Sequence, residues 1–93
     1  MLTVTVLIGN SDNKLTQLEW SMYVKRVQGF IKIRASTVHF FGGSSTWEAW
    51  QNACWVIAIS RKELNSLKVL LDETRHKFKQ DSVALVEGEV EFI

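Results

Sequence analysis

The same helix-start signal occurs twice in this chain, each time after a short apolar stretch. Thr16 with Glu19, and Ser60 with Glu63, stand at the spacing of a capping box. In that device the cap hydroxyl takes a backbone N–H three residues on, and the glutamate reaches back to the N–H of the cap. Leu15 with Trp20, and Ile59 with Leu64, occupy the flanking positions of a hydrophobic staple. Two helices anchored in this way, each entered from an extended segment, restrict the fold more than any other feature.

The remaining segments fall into place around them. Leu2 to Ile8 is short and rich in valine and threonine, as a central strand is. Gly9-Asn10-Ser11-Asp12-Asn13 has turn composition. The first helix runs to near Ile33 and gathers Trp20, Tyr23, Val24, Val27, Phe30 and Ile31 on one face. Thr37 to Phe41 reads as a strand, with Val38 and Phe40 to one side and Thr37, His39 and Phe41 to the other. Gly42-Gly43-Ser44-Ser45 ends it. A third strand runs from about Asn52 to Ile59. The second helix buries Leu64, Leu67, Leu71, Thr74 and Phe78. Gln80-Asp81-Ser82 breaks it, and Val83 to Phe92 is the last strand. There Ala84, Val86, Val90 and Phe92 share one face, and Glu87, Glu89 and Glu91 share the other, where charge guards an edge against pairing.

The order strand, helix, strand, strand, helix, strand resembles the ferredoxin-like split βαβ fold. The class is α+β, with a four-stranded antiparallel sheet and two helices on one face, in a single domain over residues 1–93. The likeness is one of shape, because one cysteine cannot supply an iron–sulfur site. A lone cysteine also excludes an internal disulfide and fits a reducing, cytoplasmic setting. Met1-Leu2-Thr3-Val4-Thr5-Val6 lacks the basic segment of a signal peptide, and no apolar run approaches the roughly 20 residues of a membrane span. A net charge of +1 argues against a general nucleic-acid binder.

Placed on this topology, with the strands in the order fourth, first, third, second, the polar motifs converge. Asn10, Ser11, Asp12 and Lys14 follow the first strand. Gln51 and Asn52 open the third, and Gln80, Asp81 and Ser82 open the fourth. All lie at one end of the sheet, beside Trp47, Trp50 and Trp55. Flat apolar faces beside paired amide donors and acceptors suit a small, nucleotide-like ligand or a protein partner. Backbone N–H groups around Gly9 to Lys14, next to a helix start, suit an anion. Each motif alone is more readily explained as turn residues bonding to loop backbone, and only their convergence beside the tryptophans brings the pocket reading level with it. The stretches Gly9-Asn10-Ser11-Asp12, Gln51-Asn52-Ala53-Cys54-Trp55 and Gln80-Asp81-Ser82 also resemble those of uncharacterised small phage and bacterial proteins, which implies a sequestering or inhibitor role.

No catalytic, cofactor or metal motif accompanies these residues. His39 and His76 are too isolated for a metal site. Cys54 reads as a small buried hydrophobe rather than a nucleophile. The favoured function is a non-enzymatic binding module. The alternative is a small oligomeric enzyme of the monooxygenase or isomerase type, suggested by architecture alone. It requires a buried acid or histidine, with His39 or Asp81 first in line. The sheet face away from the helices should carry Thr3, Thr5 and Leu7, His39 and Phe41, and Val83 and Leu85, and the third strand is apolar on both faces, with Trp55, Ile57 and Ile59 on one and Cys54, Val56 and Ala58 on the other. The uncovered face is apolar enough to imply a homodimer or higher oligomer.

Overall fold

In the computed structural model, which describes residues 1–45 and 49–93, β1 spans Leu2–Gly9 and leads through a 3-10 turn at Ser11–Asn13 into α1 at Gln17–Arg34. β2 (Thr37–Gly43), β3 (Asn52–Ile59), α2 (Arg61–Lys77) and β4 (Ala84–Gly88) complete the chain. All strand pairs are antiparallel and the sheet order is β2-β3-β1-β4. This is the ferredoxin-like arrangement.

Both helices begin where their caps place them. Thr16 Oγ1 accepts the N–H of Glu19, and Glu19 Oε1 accepts the N–H of Thr16 at 3.0 Å, so the box around α1 is closed. These bonds hold the Glu19 carboxyl below its usual range. Ser60 Oγ accepts the N–H of Glu63 at the start of α2. The staple residues Leu15, Trp20, Ile59 and Leu64 are all buried.

One face of the sheet and one face of each helix form the core. β1 supplies Val4, Val6 and Ile8, and β3 supplies Ala53, Trp55, Ile57 and Ile59. Against them lie Trp20, Tyr23, Val27 and Ile31 of α1, Leu64, Leu67 and Leu71 of α2, and Phe78 just beyond it. Tyr23 stacks on Phe78 with centroids 4.8 Å apart, and Trp20 meets Tyr23 edge-on, so aromatic rings join the two helices. Burial pushes the Tyr23 hydroxyl up to about 12. Truncating Ile57 or Leu67, both fully buried, should remove about 2–5 kcal/mol of stability. Among the described residues, no helix is long and apolar enough to cross a membrane.

Two strands differ from their expected form. In β2 the register steps from Val38 opposite Ile57 to Phe40 opposite Val56, leaving His39 as the extra residue of a β-bulge. The bulge reverses the alternation. Val38 and Phe41 lie on the helix side, and Phe40 joins Thr37 on the open face. β4 is also shorter than the stretch Val83 to Phe92, because its pairing with β1 runs only from Leu7 opposite Ala84 to Thr3 opposite Gly88. Its parity follows β1: Leu85 and Glu87 stand opposite the inward Val6 and Val4, while Ala84 and Val86 face outward. The open face therefore carries Thr3, Thr5, Leu7, Cys54, Val56, Ala58, Thr37, Phe40, Ala84 and Val86. Phe41, Val83 and Leu85 do not belong to it as expected. Leu85 and Val83 pack against the core.

Candidate functional site

The three polar motifs meet at the expected end of the sheet, and they are bonded to one another. The N–H of Asn10 donates to the carbonyl of Gln51 at 2.8 Å. The N–H of Ser11 donates to Gln80 Oε1 at 2.9 Å. The Asn10 side chain spans the turn, accepting the N–H of Leu15 at 2.9 Å and donating to its carbonyl at 3.1 Å. Gln80 Nε2 donates to the carbonyl of Phe78, and Arg75 donates to the carbonyls of Gln80 and Asp81. Gln51 and Gln17 exchange reciprocal amide bonds of 2.9 and 3.0 Å.

This bonding changes the roles of several expected ligand contacts. Asn10, Gln51 and Gln80 are at most 3% exposed, and the bonded amides join the turn, β3 and the end of α2. Trp55 is fully buried and stacks on Phe41 at 5.0 Å, so its ring belongs to the core. Its position on the inward parity of β3 dictates this. The expected anion cradle is also filled from within. The N–H groups of Ser11, Asn13, Lys14 and Leu15 bond to Gln80, Asn10, Ser11 and the Asn10 side chain respectively.

Other residues of the expected set remain on the surface. Asp12 and Asn13 take left-handed backbone angles, φ 53° and 54°, which short polar side chains tolerate. The Lys14 ammonium lies 4.0 Å from Asp12 and 3.8 Å from Asp81. Ser82 is exposed, and Asn52 is exposed with its backbone N–H bonded to Ser44 Oγ. Trp47 lies outside the described residues. Trp50 is 62% exposed and holds φ at 60°. A bulky residue in that region is strained by roughly 1–3 kcal/mol and is held there by its surroundings. The next residue, Gln51, is clamped by Asn10 and Gln17.

Beside this end, a groove of about 320 Å³ opens between α1 and β2. Trp20, Val24 and Phe41 make its apolar surface, and Gln17, Ser21, Lys25 and Gln28 supply its polar groups. Phe41 is 45% exposed, so its ring backs onto Trp55 on one side and opens to the groove on the other. Gln17 links the groove to Gln51 and thereby to the strand start that follows Trp50. None of these groove residues stood in the expected site. A signal was present: Gln17, Ser21 and Gln28 make a stripe of uncharged polar residues along one flank of α1.

The enzyme alternative finds no buried acid or histidine at its first candidates. His39 is exposed at the bulge, and Asp81 is exposed beside Lys14. His76 is exposed on α2, and Cys54 is half-buried on the open face opposite Leu7.

No protein-family model matches the chain. No curated protein matches it either. Among solved structures it is similar to a phage SAM lyase in the apo state, at 18% identity with a TM-score of 0.47 over 99% of this chain and 91% of that one.

Proposed function

We propose that this chain is a non-enzymatic binding module that holds a small, nucleotide-like ligand in the groove between α1 and β2, with Trp50 at its mouth. The groove carries the proposal. It joins an exposed aromatic face, Phe41, to uncharged donors and acceptors on Gln17, Ser21 and Gln28 and to the ammonium of Lys25. A planar ring stacked on Phe41, edge contacts to the amides and an anionic group on Lys25 would use all three kinds of surface. The strain at Trp50 supports the same location, since strained backbone gathers where a side chain must be presented. Of the expected residues, Trp50, Asn52, Lys14, Asp12, Asp81 and Ser82 remain available to a ligand or to a protein partner at this end. Such a module would act by sequestration, in the cytoplasm, with Cys54 as a free thiol. It would work as a homo-oligomer, using the apolar open face of Leu7, Val56, Phe40 and Val86.

The test is native mass spectrometry and tryptophan fluorescence with mono-, di- and cyclic nucleotides and other adenosine derivatives. A stoichiometric adduct is expected. Phe41→Ala and Trp50→Ala should each weaken it at least about fivefold, as loss of one stacking partner, about 1–3 kcal/mol, implies. Lys25→Ala should weaken phosphate-bearing ligands selectively. If no adduct forms and fluorescence stays unchanged at millimolar ligand, the small-molecule proposal fails.

A further inference from the structure

We propose that β4 pairs edge to edge with β4 of a second copy, antiparallel about a twofold axis at Gly88, joining two four-stranded sheets into one. This contact is separate from the ligand groove.

The strand is prepared for more pairing than it receives. β4 is an outer strand, and its partner β1 ends the ladder at Thr3 opposite Gly88. Beyond the last ladder pair, Glu89-Val90-Glu91-Phe92 keeps the alternating pattern in sequence, and Val90 is 45% and Phe92 89% exposed. The segment contains no turn former, so it does not fold back along its own strand. A second copy running the other way meets it in register.

That register follows from side-chain chemistry. A twofold axis normal to the sheet keeps both open faces on one side and pairs residues of like parity. With Gly88 on the axis, Val86 faces Val90 of the second copy and Ala84 faces its Phe92. An apolar row then continues across the junction on the open face. Shifting the axis by one residue would place Gly88 opposite Val86 or Val90 of the second copy and break that row.

Charge completes the fit on the helix side. Arg61 grips Glu87 through two bonds of 2.9 and 3.0 Å, and the Lys68 ammonium lies 3.9 Å from the same carboxylate. Two cations therefore stand on one anion. In the proposed register Glu89 of the second copy lies opposite Glu87 and brings the second carboxylate, and Glu91 follows beside Leu85. The acids expected to guard this edge would instead be the groups that select its partner.

Gly88 allows a direct test. A Cβ added there has nothing within 4 Å, and its φ is not positive. Opposed Cα atoms in an antiparallel pair are about 4.5–5.5 Å apart, within the range a disulfide spans. Gly88→Cys in a Cys54→Ser background should therefore cross-link to a dimer under mild oxidation. Ser66→Cys, on the exposed side of α2, should lag at least tenfold in the same background. In a Val56→Glu background, which removes association through the open face, sedimentation velocity should show a dimer. Val90→Pro with Glu91→Pro removes N–H groups outside the monomer's strand, so it should leave the circular dichroism unchanged and weaken the dimer at least tenfold. Charge reversal by Glu89→Lys with Glu91→Lys should do the same. Gly88→Cys cross-linking no faster than Ser66→Cys, or a dimer unaffected by the proline pair, overturns the proposal. Association through the open face would survive the prolines and be lost in Val56→Glu.

Discussion

Asn10→Ala is the sharpest test of whether the polar end is a binding surface or a fastening. The side chain is 1% exposed and closes the turn with two bonds to Leu15, one to its N–H and one to its carbonyl. Alanine leaves both backbone groups without that partner. Each buried group so orphaned costs about 1–3 kcal/mol. The neighbouring Asp12 and Asn13 are exposed, so water can reach part of the site, which favours the lower half of the sum. The expected loss is about 3 kcal/mol, equivalent to roughly 12–24 °C in Tm for a domain of this size. That is a large share of the 5–15 kcal/mol typical of a whole domain. Urea unfolding followed by circular dichroism measures it, and the slope should not change. Ser82→Ala, at an exposed position in the same end, should stay within about 0.5 kcal/mol. A loss below 1 kcal/mol for Asn10→Ala would refute the fastening argument. If ligand retention vanished while stability stayed, Asn10 would be a binding residue after all.

Three further perturbations probe other joints of the structure. Gln17→Met and Gln51→Met, alone and together, should reveal a coupling of about 0.5–1.5 kcal/mol in a double-mutant cycle, because the two amides bond to each other through both of their polar groups; additivity would count against the pairing. Gly43→Ala should destabilise by roughly 1–3 kcal/mol, since its new Cβ would collide with the backbone of Asn52 and Ala53 in the facing strand; an unchanged Tm would contradict this close approach. The Arg61 guanidinium holds the Glu87 carboxyl below its usual 4.5, so the advantage of the parent chain over Glu87→Gln should be present above that pH and disappear as pH falls through the lowered folded value. Parallel acid-unfolding curves for the two proteins would refute it.

Much of the fold could be read directly because its signals are local. Thr16, Glu19 and Ser60 act within one helical turn, and the apolar spacing of α1 and α2 depends on no distant residue. The misread strands depended on their neighbours. The alternation of Val38, Phe40 and Phe41 gives no sign of a bulge at His39, which exists only relative to β3. The residues after Gly88 are as strand-like in sequence as those before it, but the pairing with β1 stops at Thr3 opposite Gly88. The site shows the same division. Convergence of Asn10, Gln51 and Gln80 follows from topology, whereas their burial depends on which loop backbone lies within reach. Trp50 and Trp55 look alike in sequence; backbone parity sends Trp55 inward and a left-handed angle turns its neighbour outward.

The backbone at Trp50 also bears on any effort to harden this protein. A screen for thermal stability will favour glycine there, because glycine accepts φ of 60° without strain. The same replacement removes the exposed ring that the proposed binding role needs. Selection for robustness and selection for binding should therefore pull this position in opposite directions. A mutational scan scored separately for folding and for ligand capture would display the site as the set of positions where the two scores part company.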